Sequence, residues 1–383
     1  MGSGGATLLG SFSGATGEIA EAGIVWSDNS SLLDDPLTNS LSLNWEYDDS
    51  CIGDVESGDI SAELTGLDAS ATYYYRAFVS EYNEQTSSYE YRFGDLEDFT
   101  TTAAVGYTAA GWLELPAVSG SEDFVGKFYG SGSTAGTNRN YSYYYNYTYY
   151  ASLWVAYPLC STHKTGSAST TTWRYNPNVS TTPTNRQVKV RSSDGSYTSM
   201  YGNSTYSRGH QCPNASRKCD DDMNKQTYYV TNQTPQRQTN FNASIWGALE
   251  GAVRDLTSSP SDTVYVATGP VYRKAGGSEE TINYLTGAAG KGANPSSLPI
   301  PNYYWKALLK VKRNGSGEVT SASAIGFWFE HRDYNSVTES YDQFAVSVDQ
   351  IEAWTGFDLF ANLPSALQTT AEANTSWSSF SSF

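Results

Sequence analysis

The sequence predicts two domains in series. An all-β sandwich covers residues 1–103, a linker covers 104–110, and an α+β domain covers 111–368, followed by a Ser/Thr-rich tail at 369–383. Three observations carry this reading. The first hundred residues alternate apolar and polar side chains with period two between polar turns and show no helical period. Beyond residue 110, strand-like runs are mixed with a few helical ones. The charge also changes between the two regions. Residues 1–100 hold 19 acidic residues against Arg76 and Arg92 alone, a net −17, so the remainder, with 21 bases and 21 acids, is neutral.

The chain has 383 residues, 39% hydrophobic and 14% aromatic, ample for two cores. A net charge of −17 spread evenly would argue against a polyanionic partner. Confined to the first region, it leaves the second free to carry a local basic groove. No stretch approaches the roughly 20 apolar residues of a membrane span. The 30 tyrosines and abundant Ser, Thr and Asn fit an exported β-rich protein. Met1-Gly-Ser-Gly-Gly reads as an expression scar, so an export signal is expected to have been removed. The expected location is secreted, periplasmic or cell-surface.

In the first domain, residues 22–26 form a strand, and residues 72–79 form another with Tyr73, Tyr75, Ala77 and Val79 on one face. The run Leu64-Thr-Gly-Leu67, then Ala71-Thr-Tyr-Tyr-Tyr-Arg-Ala77, closed by Asp98-Phe-Thr-Thr101, resembles fibronectin type III modules. The resemblance makes Tyr73 the corner tyrosine and says almost nothing about function. In the second domain, strands are expected at 153–157, 187–191 and 263–268. The strongest helix is 242–256, where Ile245, Leu249, Val253 and Leu256 recur at helical spacing. A second helix is expected at 346–355, and the tail is expected to be frayed or a linker end.

Cys51 and Cys160 fall in different domains and are expected as free thiols. Cys212 and Cys219 flank a short loop after His210 and are expected to form a disulfide, worth roughly 2–3 kcal/mol. A zinc site with His210 is disfavoured, because the chain has no CxxC pair and little histidine.

Three segments lie close together: Ser207-Arg-Gly-His210, Tyr229-Val-Thr-Asn-Gln-Thr-Pro-Gln236 and Asn242-Ala-Ser-Ile-Trp-Gly-Ala-Leu-Glu250. Phosphodiester hydrolysis needs a base that works near neutral pH, which suits His. It also needs positive charge against the phosphate. Magnesium is content with few protein oxygens. One His, one or two Asn, an Arg and a Glu suffice. On the helix, Asn242, Trp246, Glu250 and Arg254 are spaced by four and stay roughly on one side, beside the apolar stripe.

These segments resemble the DNA/RNA non-specific endonucleases of the ββα-metal (His-Me finger) superfamily, whose signature is D-R-G-H. Here it reads Ser207-Arg208-Gly209-His210. The N-x-x-P-Q stretch matches 232–236, and the N-x-x-x-W-x-x-x-E helix matches Asn242, Trp246 and Glu250, with Arg254 following. Further matches run through Trp154-Val-Ala-Tyr157, Thr268-Gly-Pro-Val-Tyr272, Ile300-Pro-Asn-Tyr-Tyr-Trp-Lys306, Asp349-Gln-Ile-Glu352 and Asn362-Leu-Pro364. The resemblance covers roughly residues 111–365. It implies an α+β fold with a central antiparallel sheet and flanking helices.

It also implies roles. His210 is the general base and Asn242 the direct Mg²⁺ ligand, with Mn²⁺ as an alternative ion. Glu250 holds a water of the metal shell, Arg254 and Arg208 stabilise phosphate, and Asn232 supports the site through hydrogen bonds. DNA and RNA are the implied substrates and 5′-phosphates the implied products. There are departures. Ser207 replaces the motif's Asp, one extra residue lies between Gln236 and Asn242, and Tyr228 stands where some members have Asn. The Arg that some members carry before the tryptophan matching Trp173 is absent, with Arg174 as a substitute.

Plainer readings compete. His163 and His331 are read as structural, and Glu250–Arg254 could be a surface i,i+4 pair. Arg208 could simply cap or pair. Asn232 and Asn242 fall in glycosylation sequons but are read as unmodified. The functional alternatives are a non-enzymatic surface or adhesion protein with a degenerate nuclease fold, and a phosphodiesterase acting on another substrate.

Overall fold

A computed structural model describes residues 5–65, 67, 71–101, 111–117, 124–130, 139–179, 187–188, 205–286 and 297–383. The chain forms two compact units, Met1–Gly106 and Tyr107–Phe383.

The first unit contains β1 (Gly5–Ser13), β2 (Ile19–Ser27), β3 (Asn44–Tyr47), β4 (Ser57–Thr65), β5 (Thr72–Asn83), β6 (Ser88–Phe93) and β7 (Glu97–Thr100). β1 pairs with β4, and a second antiparallel sheet runs β3-β2-β5-β6, with β7 also on β5. The period-two pattern explains the packing. Tyr73, Tyr75, Ala77 and Val79 of β5 face Ala22 and Ile24 of β2 and Leu8, Ile60 and Ala62 of the smaller sheet. Between those faces Tyr73 stacks on Phe99, with ring centroids 5.7 Å apart, and meets Trp26 edge-on. The opposite face of β2 and β5 buries Val25 and Phe78 against Leu33 and Leu43.

The second unit is built on an antiparallel seven-stranded sheet. Its chain runs through β8 (Phe124–Tyr129), β9 (Arg139–Asn146), β10 (Ala151–Leu159), α1 (Ser161–Lys164), β11 (Tyr206–His210), α2 (Asp221–Gln226), β12 (Gln233–Arg237) and α3 (Gly247–Asp255). It continues with β13 (Val264–Val271), β14 (Asn283–Thr286), β15 (Ser297–Ile300), β16 (Tyr303–Arg313), β17 (Val319–Glu330), β18 (Ala345–Val346), α4 (Val348–Thr355), α5 (Ser365–Glu372) and α6 (Trp377–Ser382). The strand order is β18-β17-β16-β13-β10-β9-β8.

Alternation along β10 and β13 assigns two cores to the two sheet faces. Val155, Tyr157, Val264 and Val266 face α3 through Leu249 and Val253. Trp154, Ala156, Tyr265 and Ala267 face the opposite layer, which includes Val348 and Ile351 of α4 and Ala371 of α5. A sheet covered on both sides needs apolar residues at successive positions, and residues 264–271 are all buried.

Three expectations are corrected. The helix read as 242–256 is two pieces. Gln238–Trp246 is a wide π-helical segment whose backbone leaves helical angles at Ser244, and regular α-helix begins only at Gly247. The tail is not frayed. α6 has a Ser376 cap and plants Phe380, fully buried, in the core beneath the sheet. A buried Phe of this kind contributes roughly 2–3 kcal/mol, enough to order a Ser-rich segment. Finally, all four cysteines are free. Cys212 lies inside the tyrosine-rich core, whereas Cys219 is exposed, with its Sγ 3.6 Å from Met223 Sδ. The two thiols therefore occupy opposite environments and form no disulfide. The expected strand at 187–191 and the linker at 104–110 lie wholly or partly outside the described residues.

Candidate active site

β11 and β12 form an antiparallel ribbon in which Ser207 lies opposite Gln236 and His210 opposite Gln233, and the π-helical segment and α3 follow directly. The ribbon needs glycine at position 209. A Cβ there would lie 2.0 Å from Gln236 Cδ. On the partner side the ribbon is held by His331, whose Nε2 accepts from Arg237 N–H at 2.9 Å while Nδ1 donates to the Pro301 carbonyl at 2.8 Å. His331 is thus a structural imidazole. So is His163, whose Nδ1 accepts from Cys160 N–H at 3.2 Å.

His210 is different. Its Nε2 is buried and has no hydrogen-bond partner among the described residues. The ring is held between aromatic neighbours, with Trp173 and Tyr228 centroids each 4.8 Å away. Burial among them lowers its pKa to about 4, so the imidazole is neutral and can accept a proton at physiological pH. Arg208, two residues earlier and so on the same side of β11, sets its guanidinium 5.8 Å from the Trp173 ring. The segment carrying Trp173 is fixed by Arg174, whose N–H donates to the Tyr228 carbonyl at 3.0 Å.

Asn242 sits on the π-helical segment. Its Nδ2 donates to Ser207 Oγ at 2.9 Å, and Ser207 in turn reaches the Gln236 carbonyl at 3.4 Å. Ser207, marked in the sequence only as a departure from the motif, therefore orients the amide. With Nδ2 so engaged, Oδ1 is the atom left for an outside ligand. Trp246 is fully buried in the core beside Phe241 and Tyr304 and near enough to Glu250 to favour its ionised form, while the backbone leaves helical angles at Ser244, between Trp246 and Asn242.

Glu250 and Arg254 make no ion pair with each other among the described residues, which removes the surface-pair reading. Burial raises the Glu250 carboxyl against the opposing influence of Lys306 and Arg254. Arg254 Nη1 is buried without a hydrogen-bond partner. Beneath them lies a residue the sequence did not single out. Lys306 is fully buried, 4.5 Å from the Trp246 ring centroid and 3.3 Å from Thr268 Oγ1, and burial lowers its pKa to about 8. Its early signals were its place at the end of the Ile300–Lys306 match and a charge among the apolar residues at the start of β16. Asn232 is fully buried. Its Oδ1 accepts from Cys212 N–H at 2.8 Å, and its Nδ2 donates to the Cys212 and Thr227 carbonyls. It clamps the chain two residues beyond His210 and leaves no room for a glycan.

The profile of the DNA/RNA non-specific endonuclease family matches residues 122–366. A nuclease of Nostoc sp. is 30% identical over 176 residues, 46% of this chain and 58% of that protein. A nuclease of Syncephalastrum racemosum is 30% identical over 165 residues, 43% of this chain and 49% of that protein. A nuclease of Serratia marcescens is 29% identical over 222 residues, 57% of this chain and 72% of that protein. The chain spans about half the length of the first two. The match over more than half of its residues, centred on the ribbon and helix just described, places this chain in the DNA/RNA non-specific endonuclease family.

Proposed function

We propose that the second unit hydrolyses phosphodiester bonds of DNA and RNA without reading their sequence, using Mg²⁺, and releases 5′-phosphate ends. The observation that carries this reading is the buried, neutral and unpartnered Nε2 of His210 beside an Asn242 whose amide is already oriented by Ser207. Family membership and nuclease-named relatives support the reaction class.

In this reading a water gives its proton to His210 Nε2 as its oxygen attacks phosphorus. The P–O3′ bond breaks, and the departing oxygen leaves as a 3′-hydroxyl after taking a proton from water. Trp173 and Tyr228 keep the imidazole neutral and fixed in plane. Arg208 and Arg254 offset charge on the phosphate. Asn242 Oδ1 fits a hydrated magnesium ion, which accepts one neutral protein oxygen and takes its other ligands from water and phosphate. When bound, that ion supplies Lewis-acid stabilisation of the phosphate charge. Glu250, held between Lys306 and Arg254, orders water on the same side. The neutral net charge of the second unit leaves such a site free of long-range repulsion.

The test is degradation of supercoiled plasmid and of single-stranded RNA by wild type and His210→Ala, with Mg²⁺ and with chelator. Cleavage of both substrates by wild type in Mg²⁺ alone is expected. Near-wild-type cleavage by folded His210→Ala, or undiminished cleavage in chelator, refutes the reading.

A further inference from the structure

The sheet face opposite α3 carries acids that the site above does not use. We propose that Asp349, Glu352 and Glu372 form a calcium site that fastens α4 to α5. One carboxylate oxygen from each residue lies within 4.8 Å of the other two. Asp349 and Glu352 stand three apart on α4 and so share a face, and Glu372 closes α5. The chain between the helices is shaped to bring them together. Gly356 ends α4 in the left-handed conformation at φ 76°, donating to the Glu352 carbonyl at 2.7 Å. Leu359 N–H then donates to Glu352 Oε1 at 2.6 Å, which fixes that carboxylate before any ion arrives.

Glu372 supplies the independent sign of a missing ligand. It is only 6% exposed, and its buried Oε1 has no hydrogen-bond partner among the described residues. A carboxylate in that position requires a cation or a proton. The charges that reach Glu352 and Glu372 are all acidic, from Asp349, Asp358 and, at Glu372, Glu352. β17, which packs on both helices, brings only Glu330, at its end beside Arg332. The segment 111–117, which meets the region through Ala117 N–H on the Asp358 carbonyl, brings only Glu114, already paired with Arg139. Burial, with repulsion from these neighbours, pushes Glu352 up to about 7 and Glu372 up to about 8.

The donor set selects the ion. All three ligands are hard oxygens, with no nitrogen or sulfur. Their graded exposure, from exposed Asp349 to buried Glu372, suits a cation that sheds water readily and accepts about six to eight oxygens in irregular geometry. Ca²⁺ does this, whereas Mg²⁺ holds its waters in a strict octahedron. The position argues for a structural ion, since α4 packs with Trp154 and Ala156 while α3 packs with Val155 and Tyr157 on the other sheet face.

The experiment uses the full chain, stripped with EGTA and held at pH 8. Thermal unfolding with and without CaCl₂ is compared in wild type, Asn242→Ala, Asp349→Asn and Glu372→Gln. At about a hundredfold excess over Kd, wild type and Asn242→Ala are expected to gain about 5 °C or more in Tm. Asp349→Asn and Glu372→Gln are expected to gain nothing, and Glu372→Gln keeps the side-chain shape, so it folds. Calorimetric titration of Asn242→Ala should find one calcium that disappears on adding Glu372→Gln. The proposal is overturned by a wild type that shows no calcium-dependent rise, or by a rise that survives Glu372→Gln. It is equally overturned if Tm increases on acidification without any calcium binding, which would mean that the carboxyls share a proton instead.

Discussion

The two units bury polar groups in different ways. In the sandwich, Glu81 is only 3% exposed, yet its carboxylate is fully answered. It accepts from Thr16 N–H at 2.5 Å, Thr16 Oγ1 at 3.1 Å and Gly17 N–H at 2.9 Å, and pairs with Arg92. Among the described residues of that unit, only Trp26 Nε1 is buried without a partner. The second unit leaves many more unanswered among its described residues, including amide atoms of Gln233 and Gln236 and, at ionisable groups, His210 Nε2, Arg254 Nη1 and Glu372 Oε1. Both regions are β-rich and aromatic, so composition does not separate them. A satisfied buried charge holds a fold together. An unsatisfied one carries a cost of roughly 1–3 kcal/mol or more, a cost that a ligand or reactant can relieve.

This contrast is open to direct test. The largest effect is expected at His210 and Asn242. His210→Ala and Asn242→Ala should each lower turnover at least about 10²-fold, measured under saturating Mg²⁺ on plasmid. Excess Mg²⁺ should partly restore Asn242→Ala and leave His210→Ala inactive. Retained activity in either folded variant would erase the distinction drawn here.

Ser207→Ala should cost less, about tenfold, expressed as weaker Mg²⁺ affinity, since it removes only the group orienting Asn242. A Ser207→Ala enzyme with an unchanged metal titration would show that the amide is held by its helix alone.

The pH profile sharpens the same point. With the folded pKa of His210 near 4 against an ordinary 6.5, its imidazole, the proposed base, stays neutral on acidification well past 6.5. The kcat/KM profile should therefore be flat down to about pH 5 and fall only as pH approaches 4. A break near 6.5 would mean that water reaches the ring. The linked stability effect has a definite sign. His163 is held near 3, and His210 and His331 near 4, so the unfolded chain binds these protons first. These histidines lower stability as pH drops from about 6.5 toward 4, whereas Glu352 and Glu372, held up near 7 and 8, raise it. Glu372→Gln, which removes one of the opposing carboxyls, should therefore show a steeper fall of Tm over that range than wild type in thermal melts.

The smallest effect is expected from removing the sandwich. Residues 108–383 contain the cores on both faces of the seven-stranded sheet and all the site residues. That fragment should keep full turnover, with equal or tighter substrate binding at low salt, because the net −17 is gone. A soluble, folded but inactive fragment would give the acidic unit a part in the reaction.

Much of this was legible in one dimension. Strand faces follow period two, so Tyr73, Tyr75, Ala77 and Val79 declared their shared side, and Ile245, Leu249 and Val253 declared the stripe that α3 buries. The ribbon and helix of the site are contiguous enough in sequence for their residues to be named in advance. What remained hidden depended on contacts between distant residues. The backbone leaves helical angles at Ser244, and Trp246 just beyond it is buried in the core, neither of which a spacing rule anticipates. Phe380 found a core assembled from strands far earlier in the chain, so a Ser-rich tail became a helix.

The sequence by itself determined which residues could do chemistry, because reactivity belongs to side-chain type and short-range order. Only the tertiary structure decided which of them would be left unpartnered. Asn232 was spent on the Cys212 backbone, Ser207 on Asn242, and Lys306 was placed beneath Glu250. Glu372 was carried across a turn to Asp349 and Glu352. Hydrogen bonding and burial depend on neighbours that chain closure supplies, so satisfaction of a polar group is a property of the fold and not of the residue.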